Sequence, residues 1–494
     1  MKKFLFAATL ITLLAAPSAR AQNDSAATEE LRLLRKKVEE LERKIELMEQ
    51  GRGAPPTNQP SDALVQELDQ KVRVLERNRE LEIEAADAKA KQAPTLTIGE
   101  KGFAFASADT NFLFQLKGVL QVDSRTFFGD DIAGNDGFLL RRARPIFQGT
   151  VFRDFDFMFV PDFGGSGSPQ IFDAYINYKY SQALQLQAGK FKTPFGLEQL
   201  QSDKDVLFNE RSLVTDLVPN RDLGIMLQGN LWDGTLNYAA AILNGVADGR
   251  NSSNVDIEDD KAFAGRIFAH PFKRTSIDLL KGFGIGLAGT YESLQGTNVA
   301  ALANGYATVG QQTFFAYNPT NRSVVASGDH WRISPQAYWY YGPFSLMGEY
   351  AISEQGVALG GRGDPVSTDL QHHGWQVSGG WVLTGEPASF TGVVPRRNFN
   401  PRAGAWGALQ LVARYSELKI DDDAFPLYAN PATSASSASE WSVGLNWYLN
   451  RNVRVGTSFS HTDFSGGGGT GTSAPAAVTR QSENVLFTRI QLAF

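Results

Sequence analysis

The chain of 494 residues contains no cysteine and only five histidines. The absence of cysteine excludes a disulfide framework, a thiol nucleophile and a thiolate metal site. A hydrolase needs a nucleophile beside an oriented histidine, but the histidines are scattered and no Gly-x-Ser-x-Gly elbow is present. The adjacent pair His372 and His373 would face opposite sides of a strand, so at most one of them would serve a metal site. We therefore expect neither an enzyme nor a cofactor.

Long apolar runs are also missing once the first 21 residues are passed, so no membrane-spanning helix is predicted there. Those first residues begin with Lys2 and Lys3, continue with the apolar run 4–16, and end in the small residues around Arg20. This pattern predicts a secretory signal over residues 1–21, with the mature chain beginning at Gln22. A membrane anchor is the alternative, but the apolar run is short of the ~20 residues that spanning requires.

Residues 22–94 are predicted to form a coiled-coil and linker region. Apolar residues alternate spacings of three and four, as in the seam of a coiled coil. They are Leu31, Leu34, Val38, Leu41, Ile45 and Met48, then, after a break at 51–60, Val65, Leu68, Val72 and Leu75. Helices this short are marginal alone, so we expect self-association. Two separate solvated amphipathic helices are the alternative.

From Phe112 onward the apolar period changes from 3.5 to 2, which is typical of strands. Sixteen strands are expected, at 112–128, 138–153, 154–161, 170–180, 184–192, 221–231, 234–243, 261–270, 282–292, 329–341, 343–354, 370–385, 406–419, 439–450, 452–464 and 482–494. The sequence Gly284 to Gly289 spells a dinucleotide-binding GxGxxG, but it lies within a strand and opens no helix. The pattern predicts an all-β fold over residues 95–494, a 16-stranded antiparallel transmembrane β-barrel preceded by the short α-helical coiled-coil segment.

A membrane barrel and a soluble sandwich share this alternation, and three features favour the membrane. Aromatic residues gather at strand ends, and short turns alternate with long polar loops such as 244–260 and 465–481. The last strand has Ile490, Leu492 and Phe494 on one face and Arg489 on the other. The predicted location is the outer membrane of a Gram-negative cell, with the N-terminal segment in the periplasm.

The polar strand faces would then line a water-filled lumen, because a charge left in lipid costs about 2–4 kcal/mol near the midplane. On this basis the inward-facing basic residues are Lys117, Arg125, Arg142, Arg144, Lys179, Arg266, Arg332, Arg414, Arg454 and Arg489. Guanidinium groups in a row suit the stepwise passage of small anions. Residues 194–219 lack the pattern of a strand, and we expect them to fold into the lumen and narrow it. That segment mixes charges of both signs, which leaves its selectivity open.

Several blocks follow one another in the order found in a known family. The first is Leu140-Arg141-Arg142-Ala143-Arg144-Pro145, and the others lie at 160–163, 173–175, 188–198, 210–213, 219–224, 383–386, 404–406, 413–416 and 444–450. Over about residues 100–494 the chain resembles the phosphate-selective porin O and P family. The resemblance implies a trimeric, sixteen-stranded barrel whose lumen is lined by arginines and whose constriction loop carries lysines. Basic positions within matching blocks are Arg142, Arg144, Lys190, Lys192, Arg211 and Arg221.

Two features depart from that family. The first 99 residues hold 16 basic and 16 acidic residues, so the remainder carries the whole net charge of −6. In addition, the constriction segment has no dense lysine cluster. The acidic total argues against a nucleic-acid partner, while pore selectivity depends on the local field of the constriction.

The expected function is an outer-membrane porin for small anions, phosphate or polyphosphate among them. Expected partners are outer-membrane lipid and lipopolysaccharide, two further copies in a homotrimer, and the barrel-assembly machinery through the strand ending at Phe494. Three alternatives stay open. They are a general-diffusion porin without phosphate preference, a barrel-anchored protein that tethers the membrane through its coiled coil, and a hydrolase built on a barrel.

Overall fold

A computed structural model describes residues 60–494, except 130–133, 166–167, 246–252, 255–258, 295–301, 303–304, 318–322, 361–365 and 470–478, together with Lys36, Glu39 and Arg43. The predicted signal at 1–21 lies outside the described residues, as does the first predicted heptad run apart from those three positions. The chain divides into two compact units, Met1–Lys89 and Ala90–Phe494.

Most of a long helix, α1 (Pro60–Gln92), belongs to the first unit, and this helix includes the second predicted heptad run. Val72 and Leu75 on this run are exposed, with 47% and 67% of their surface open to solvent. Ion pairs between residues one turn apart, such as Lys71 with Glu67 at 2.7 Å, brace the helix surface and add about 0.2–0.5 kcal/mol each. Among the described residues, no helix has the length and apolar character needed to cross a membrane.

The second unit is built from β-strands. Its strands are β1 (Thr95–Gly99), β2 (Gly102–Ala106), β3 (Leu113–Phe128), β4 (Gly137–Val151), β5 (Phe155–Asp162), β6 (Gln170–Lys179), β7 (Gln185–Lys192), β8 (Arg221–Leu231), β9 (Leu236–Leu243), β10 (Ala262–Ala269), β11 (Phe283–Leu294), β12 (Tyr306–Ala307), β13 (Thr313–Phe315), β14 (Val324–Tyr341), β15 (Phe344–Leu359), β16 (Ser367–Val382), β17 (Ala408–Lys419), β18 (Ala435–Tyr448), β19 (Val453–Gly466) and β20 (Glu483–Ala493). Short helices are α2 (Leu197–Leu200) and α3 (Asp278–Lys281), with 3₁₀ turns at Leu213–Leu217, Pro401–Ala403 and Asp422–Ala424.

Sixteen of these strands, β3–β11 and β14–β20, form a closed antiparallel barrel, because β20 pairs with β3. Closure follows from the surroundings: lipid offers no water to unpaired backbone groups, so a spanning sheet cannot keep an open edge. The predicted sixteen-stranded barrel is therefore confirmed. Each predicted strand corresponds to one barrel strand, although the tenth begins at Val324, five residues before its predicted start.

The two ends of the barrel differ in their connections. At one end, called here the short-turn end, strands are joined by tight turns such as 152–154, 342–343 and 449–452. The segment 383–407 is a long connection at this same end. The opposite end carries longer loops.

The hairpin β1–β2 adds to the sheet and was not predicted. Strand β2 pairs with the first residues of β3, from Phe103 opposite Leu116 to Ala106 opposite Leu113. This pairing covers the part of β3 that extends beyond the end of β20. Gly118 and Phe494 exchange two backbone hydrogen bonds of 3.0 Å where β20 ends.

Strand faces follow the predicted alternation through the middle of the barrel. On β18, Trp441, Val443 and Leu445 are exposed on the outer surface, while Ser442 and Asn446 are buried on the inner face. The outer face is thus apolar toward lipid and the inner face polar toward the lumen.

Toward the long-loop end, one side of the lumen is instead filled by an apolar cluster. Inward-facing Ala351, Leu370 and Leu418 pack there with Phe314 and Phe315 of the segment 305–317. Alternation predicts polar inner faces. Here, however, the inward-folded segment covers the inner faces of the strands in place of water, so apolar side chains are favourable there. Burying an aromatic side chain contributes about 1.5–3 kcal/mol, which favours this inward fold.

We expect substitution of Gly118 by valine to impair barrel closure. A Cβ at this position would lie 2.9 Å from the ring of Phe494, which covers Gly118 on the outer surface. The ring would have to move from the junction where the last strand meets the first. Loss of the heat-modifiable folded band on a denaturing gel measures the effect. Gly137→Ala is the matched control, because nothing lies within 4 Å of its Cβ; equal folding of both variants would contradict this view.

Candidate pore constriction

The candidate site is centred on residues 193–220, which join β7 to β8 and are called the constriction segment. The segment lies inside the barrel, where Phe195 and Leu213 are almost fully buried. It is hydrogen-bonded to distant strands of the wall. Glu349 of β15 accepts from the backbone N–H of Leu197 at 2.5 Å, and Asn446 of β18 donates to the carbonyl of Leu207 at 2.8 Å. The segment therefore crosses the lumen, as predicted from its lack of strand character.

Asp203 is the first anchor of the constriction segment. Its carboxylate pairs with Arg142 at 3.3 Å, with Arg211 at 2.6 Å and with Arg144. Burial raises the pKa of Asp203, but these three guanidinium groups lower it by a larger amount. The pKa of Asp203 therefore lies well below the ordinary value of 3.8. The stabilisation from these pairs is therefore present above the ordinary pKa and is lost only as the pH falls through that depressed value.

Glu210 is the second anchor. Arg141 donates to both of its oxygens, at 2.6 and 2.8 Å, and Arg489 lies 3.0 Å away. Arg125 is a weaker partner at 3.7 Å. Burial raises the pKa of Glu210, yet Arg141 and Arg489 bring it well below the usual range.

The wall arginines have acidic partners on the wall as well. Arg489 makes two hydrogen bonds to Asp123, at 2.6 and 2.7 Å. Arg414 pairs with Glu440 at 3.2 Å and with Glu198 of the constriction segment at 3.5 Å. Both arginines are thus held between a wall carboxylate and the segment.

The structure places most of the predicted anion-binding residues in such pairs. Arg125, Arg142, Arg144, Arg211, Arg414 and Arg489 pair with carboxylates as described, and Arg221 pairs with Asp173 at 3.0 Å. Lys190 donates to Asn254 at 2.8 Å, and Lys192 donates to the carbonyls of Gln199 and Gln201 at 2.7 and 2.9 Å. Arg266 donates to Gln336 at 2.9 Å. Anion binding by these side chains stays a prediction.

Arg141 and the acidic partners are the contributors that the residue pattern does not reveal. Strict alternation turns Arg142 and Arg144 inward and Arg141 outward. A register shift between β3 and β4 pairs Gln121 with Arg142 and Val122 with Leu140, which leaves Arg141 as the extra residue of a β-bulge. A bulge re-aims the side chains beside it, so Arg141 and Arg142 both reach the segment.

Lys117 lies in a different setting, a cavity of about 290 Å³ at the short-turn end, called here the basic vestibule. Its charged lining residues are Lys101, Lys117, Lys204, Arg451, Arg454, Glu100 and Asp205. Lys204 pairs with Asp205 at 3.0 Å, and Arg451 lies 3.7 Å from Glu100. Among the described residues, no carboxylate lies within ion-pair distance of the other three cations. Among the side chains that line it, the vestibule thus has five cations against two carboxylates.

The connection 383–407 forms one side of this vestibule. Its residues Gly392, Val393 and Val394 line the cavity. The carbonyl of Phe390 accepts a hydrogen bond of 2.8 Å from Gln201 of the constriction segment. The connection therefore joins the short-turn mouth to the constriction. In the part of the chain that the structure describes, no group of three histidine or carboxylate side chains is arranged to hold a metal ion.

Relatives of the chain are found among both sequences and solved structures. The profile of a family described as phosphate-selective porin O and P matches residues 114–494. Porin O of Pseudomonas aeruginosa is 26% identical over 394 residues, which cover 72% of this chain and 84% of that protein. The outer membrane channel DcaP of Acinetobacter baumannii superposes with a TM-score of 0.48 at 12% identity, over 78% of this chain and 98% of that one. For OmpF of Salmonella typhi in complex with daunomycin, the TM-score is 0.47 at 10% identity, over 81% and 100%.

We expect Asp203→Asn to loosen the constriction segment. The change leaves Arg142, Arg144 and Arg211 without their shared carboxylate, and removing one partner of a buried pair costs about 3–5 kcal/mol. Single-channel conductance and anion preference should both rise, while the urea concentration that unfolds the barrel falls.

Asp154→Asn is the matched control, because Asp154 is exposed in the turn between β4 and β5. If Asp203→Asn has the same conductance and the same urea unfolding as the unsubstituted protein, Asp203 does not anchor the segment.

Proposed function

The chain belongs to the phosphate-selective porin O and P family, a family of outer-membrane channels, and we propose that its channel prefers small oxyanions, with phosphate as the representative solute. Its place is the outer membrane of a Gram-negative cell, and the short-turn end faces the periplasm in such barrels. The observation that carries the proposal is the basic vestibule. Lys101, Lys117 and Arg454 line it without a carboxylate partner among the described residues.

The paired arginines and the vestibule cations have different roles in this proposal. An arginine bound to Asp203 or Glu210 has its charge compensated, so it attracts a passing anion weakly. Each vestibule lysine carries a compact ammonium group, which attracts phosphate oxygens as a point charge. At 4 Å and an effective dielectric constant near 20, one such contact is worth at most about 4 kcal/mol before desolvation. Sites of this strength attract an anion and still release it, as conduction requires.

The hydrogen bonds of Arg454 support the same assignment. It donates to the carbonyl of Val206 at 2.8 Å, and its guanidinium lies 5.9 Å from the ring of Tyr448. Neither contact removes its charge. The family description names phosphate, which agrees with a site for a compact oxyanion.

We also propose that the protein is a homotrimer whose residues 22–94 form a periplasmic coiled coil after removal of the signal at 1–21. Val72 and Leu75 of α1 are exposed at seam positions in the single chain, and a second and third copy would cover them. Lipid and lipopolysaccharide would surround the barrel, and the strand ending at Phe494 would present it to the assembly machinery. A tether to the cell wall through the coiled coil is the alternative use of this region.

We expect Lys117→Gln to reduce anion selectivity. Removing one of three cations that lack a carboxylate should lower the anion-to-cation permeability ratio roughly twofold. The phosphate concentration that halves the chloride current should rise roughly fivefold, the equivalent of about 1 kcal/mol. Reversal potentials in asymmetric salt and phosphate titration in planar bilayers measure both.

Lys281→Gln is the control, because Lys281 is exposed in α3, pairs with Asp278 at 2.6 Å and does not line the vestibule. Cation preference in the unsubstituted channel would refute the proposal. Anion preference with no difference between chloride and phosphate would favour the general-diffusion porin, and a barrel without conductance would favour the tether.

The coiled coil is tested with cysteine substitutions, since the natural chain has no cysteine. Val72→Cys should form disulfide-linked chains under oxidation, because seam positions of neighbouring copies lie in contact. Arg77→Cys, on the opposite face of the same helix, should not. Monomers only in both variants would contradict self-association through α1.

A further inference from the structure

A second cavity lies under the constriction segment, along the short-turn halves of β7 to β10. Its volume is about 280 Å³, close to the lower bound of about 300 Å³ for small-molecule sites. Its polar lining is Gln185, Gln228, Asn230, Asn237, Lys192 and Arg266. None of the wall carboxylates described above lines it. The cavity therefore combines neutral amides with cations.

The four amides form a row because the strand register places them side by side. Gln185 of β7 is opposite Gln228 of β8, and Asn230 of β8 is opposite Asn237 of β9. Gln228 donates to the neighbouring Gln187 at 3.0 Å, and Asn237 donates to Asn230. A carboxamide has two N–H donors and an oxygen with two lone pairs, so each keeps capacity beyond these single bonds. Such a row can donate to and accept from a series of hydroxyl groups.

Arg266 supplies the positive end of the cavity. Its Nε donates to Gln336 at 2.9 Å, and its guanidinium lies 4.6 Å from the ring of Phe268. Among the described residues, no carboxylate lies within ion-pair distance of it. The stacked ring and the single hydrogen bond fix the plane of the guanidinium, and the terminal nitrogens retain donors for a forked contact with an oxyanion.

Lys192 adds a second positive charge at the edge of the cavity. Its ammonium is held by the carbonyls of Gln199 and Gln201, so its position is fixed by the constriction segment. Pro194, Leu200 and Met226 give the cavity an apolar side. An apolar side next to a row of amides suits a ligand with C–H groups on one face and hydroxyl groups on the other.

We propose that this cavity binds small polyhydroxylated carboxylates, with the carboxylate on Arg266 and the hydroxyl groups along the amide row. The inference rests on the proposed anion channel, since the ligand must enter through the same lumen. It names a different solute and different residues from those of the basic vestibule. A compact inorganic oxyanion has no hydroxylated chain to occupy the amide row.

The test uses the full-length protein in planar bilayers, with sodium gluconate as the probe. Gluconate should interrupt the single-channel chloride current at lower concentrations than acetate, which has the charge without the hydroxyl groups, and than glucose, which has the hydroxyl groups without the charge. Block by gluconate no stronger than block by acetate would overturn the inference. Because phosphate block and its dependence on Lys117 are measured separately, that result would leave the proposed function standing.

Substitutions test which residues of the cavity bind gluconate. Arg266→Gln should raise the half-blocking concentration of gluconate roughly tenfold, as expected for loss of a charge-assisted pair of hydrogen bonds, and Arg266→Lys should recover part of it. Asn237→Ala should weaken gluconate block and leave acetate block unchanged. Gln182→Ala, in the exposed turn between β6 and β7, is the control, and an unchanged chloride conductance reports an intact barrel. Equal gluconate block in Arg266→Gln and the control would refute the assignment.

Discussion

The ion pairs between the constriction segment and the barrel wall determine how this lumen is arranged. A segment of 28 residues that crosses a barrel loses considerable conformational entropy, and its carboxylates compensate by meeting guanidinium groups already fixed on strands. Asp203 meets Arg142 and Arg144 of the wall as well as Arg211 of the segment itself, and Glu210 meets three wall arginines. The wall arginines require the segment equally, because a buried guanidinium without a counter-charge is costly. Wall and segment are therefore stable together, and neither arrangement is favourable without the other.

This mutual neutralisation decides which charges remain for solutes. Within the described residues, the arginines of β3, β4, β17 and β20 are matched by Asp123, Asp162, Glu440 and the segment. Several of the cations that remain lie toward the short-turn end, where Lys101, Lys117 and Arg454 line the vestibule. We propose that a solute meets positive potential after the constriction, at the mouth bounded by the connection 383–407. In this proposal the constriction limits size, and the vestibule supplies preference for charge.

Much of the fold follows from the residue pattern because membrane strands obey a simple rule. Each spanning strand must face lipid on one side and the lumen on the other, so alternation in residues such as 441–446 is visible directly. The hairpin β1–β2 was missed because it extends the sheet beyond the barrel wall and has only five residues per strand. The inward position of Arg141 could not be predicted because a bulge breaks the alternation locally, and no side-chain pattern indicates a bulge. The partners of the arginines were present as a mixed-charge segment, but alternation gives no distance between a loop carboxylate and a wall arginine.

Net charge is the least reliable indication of the electrostatic potential inside the lumen. The barrel region is acidic overall, with a net charge of −6, which by itself disfavours an anion channel. Carboxylates that anchor arginines are counted in that total although their field is cancelled within a few ångströms. Carboxylates outside the lumen are counted too, although solvent and salt screen them beyond about 10 Å. What a passing ion experiences is the small uncompensated remainder near its path, and in the vestibule five cationic side chains face two carboxylate side chains. The sign of selectivity is therefore set by how charges pair in space, which the composition of the chain does not record.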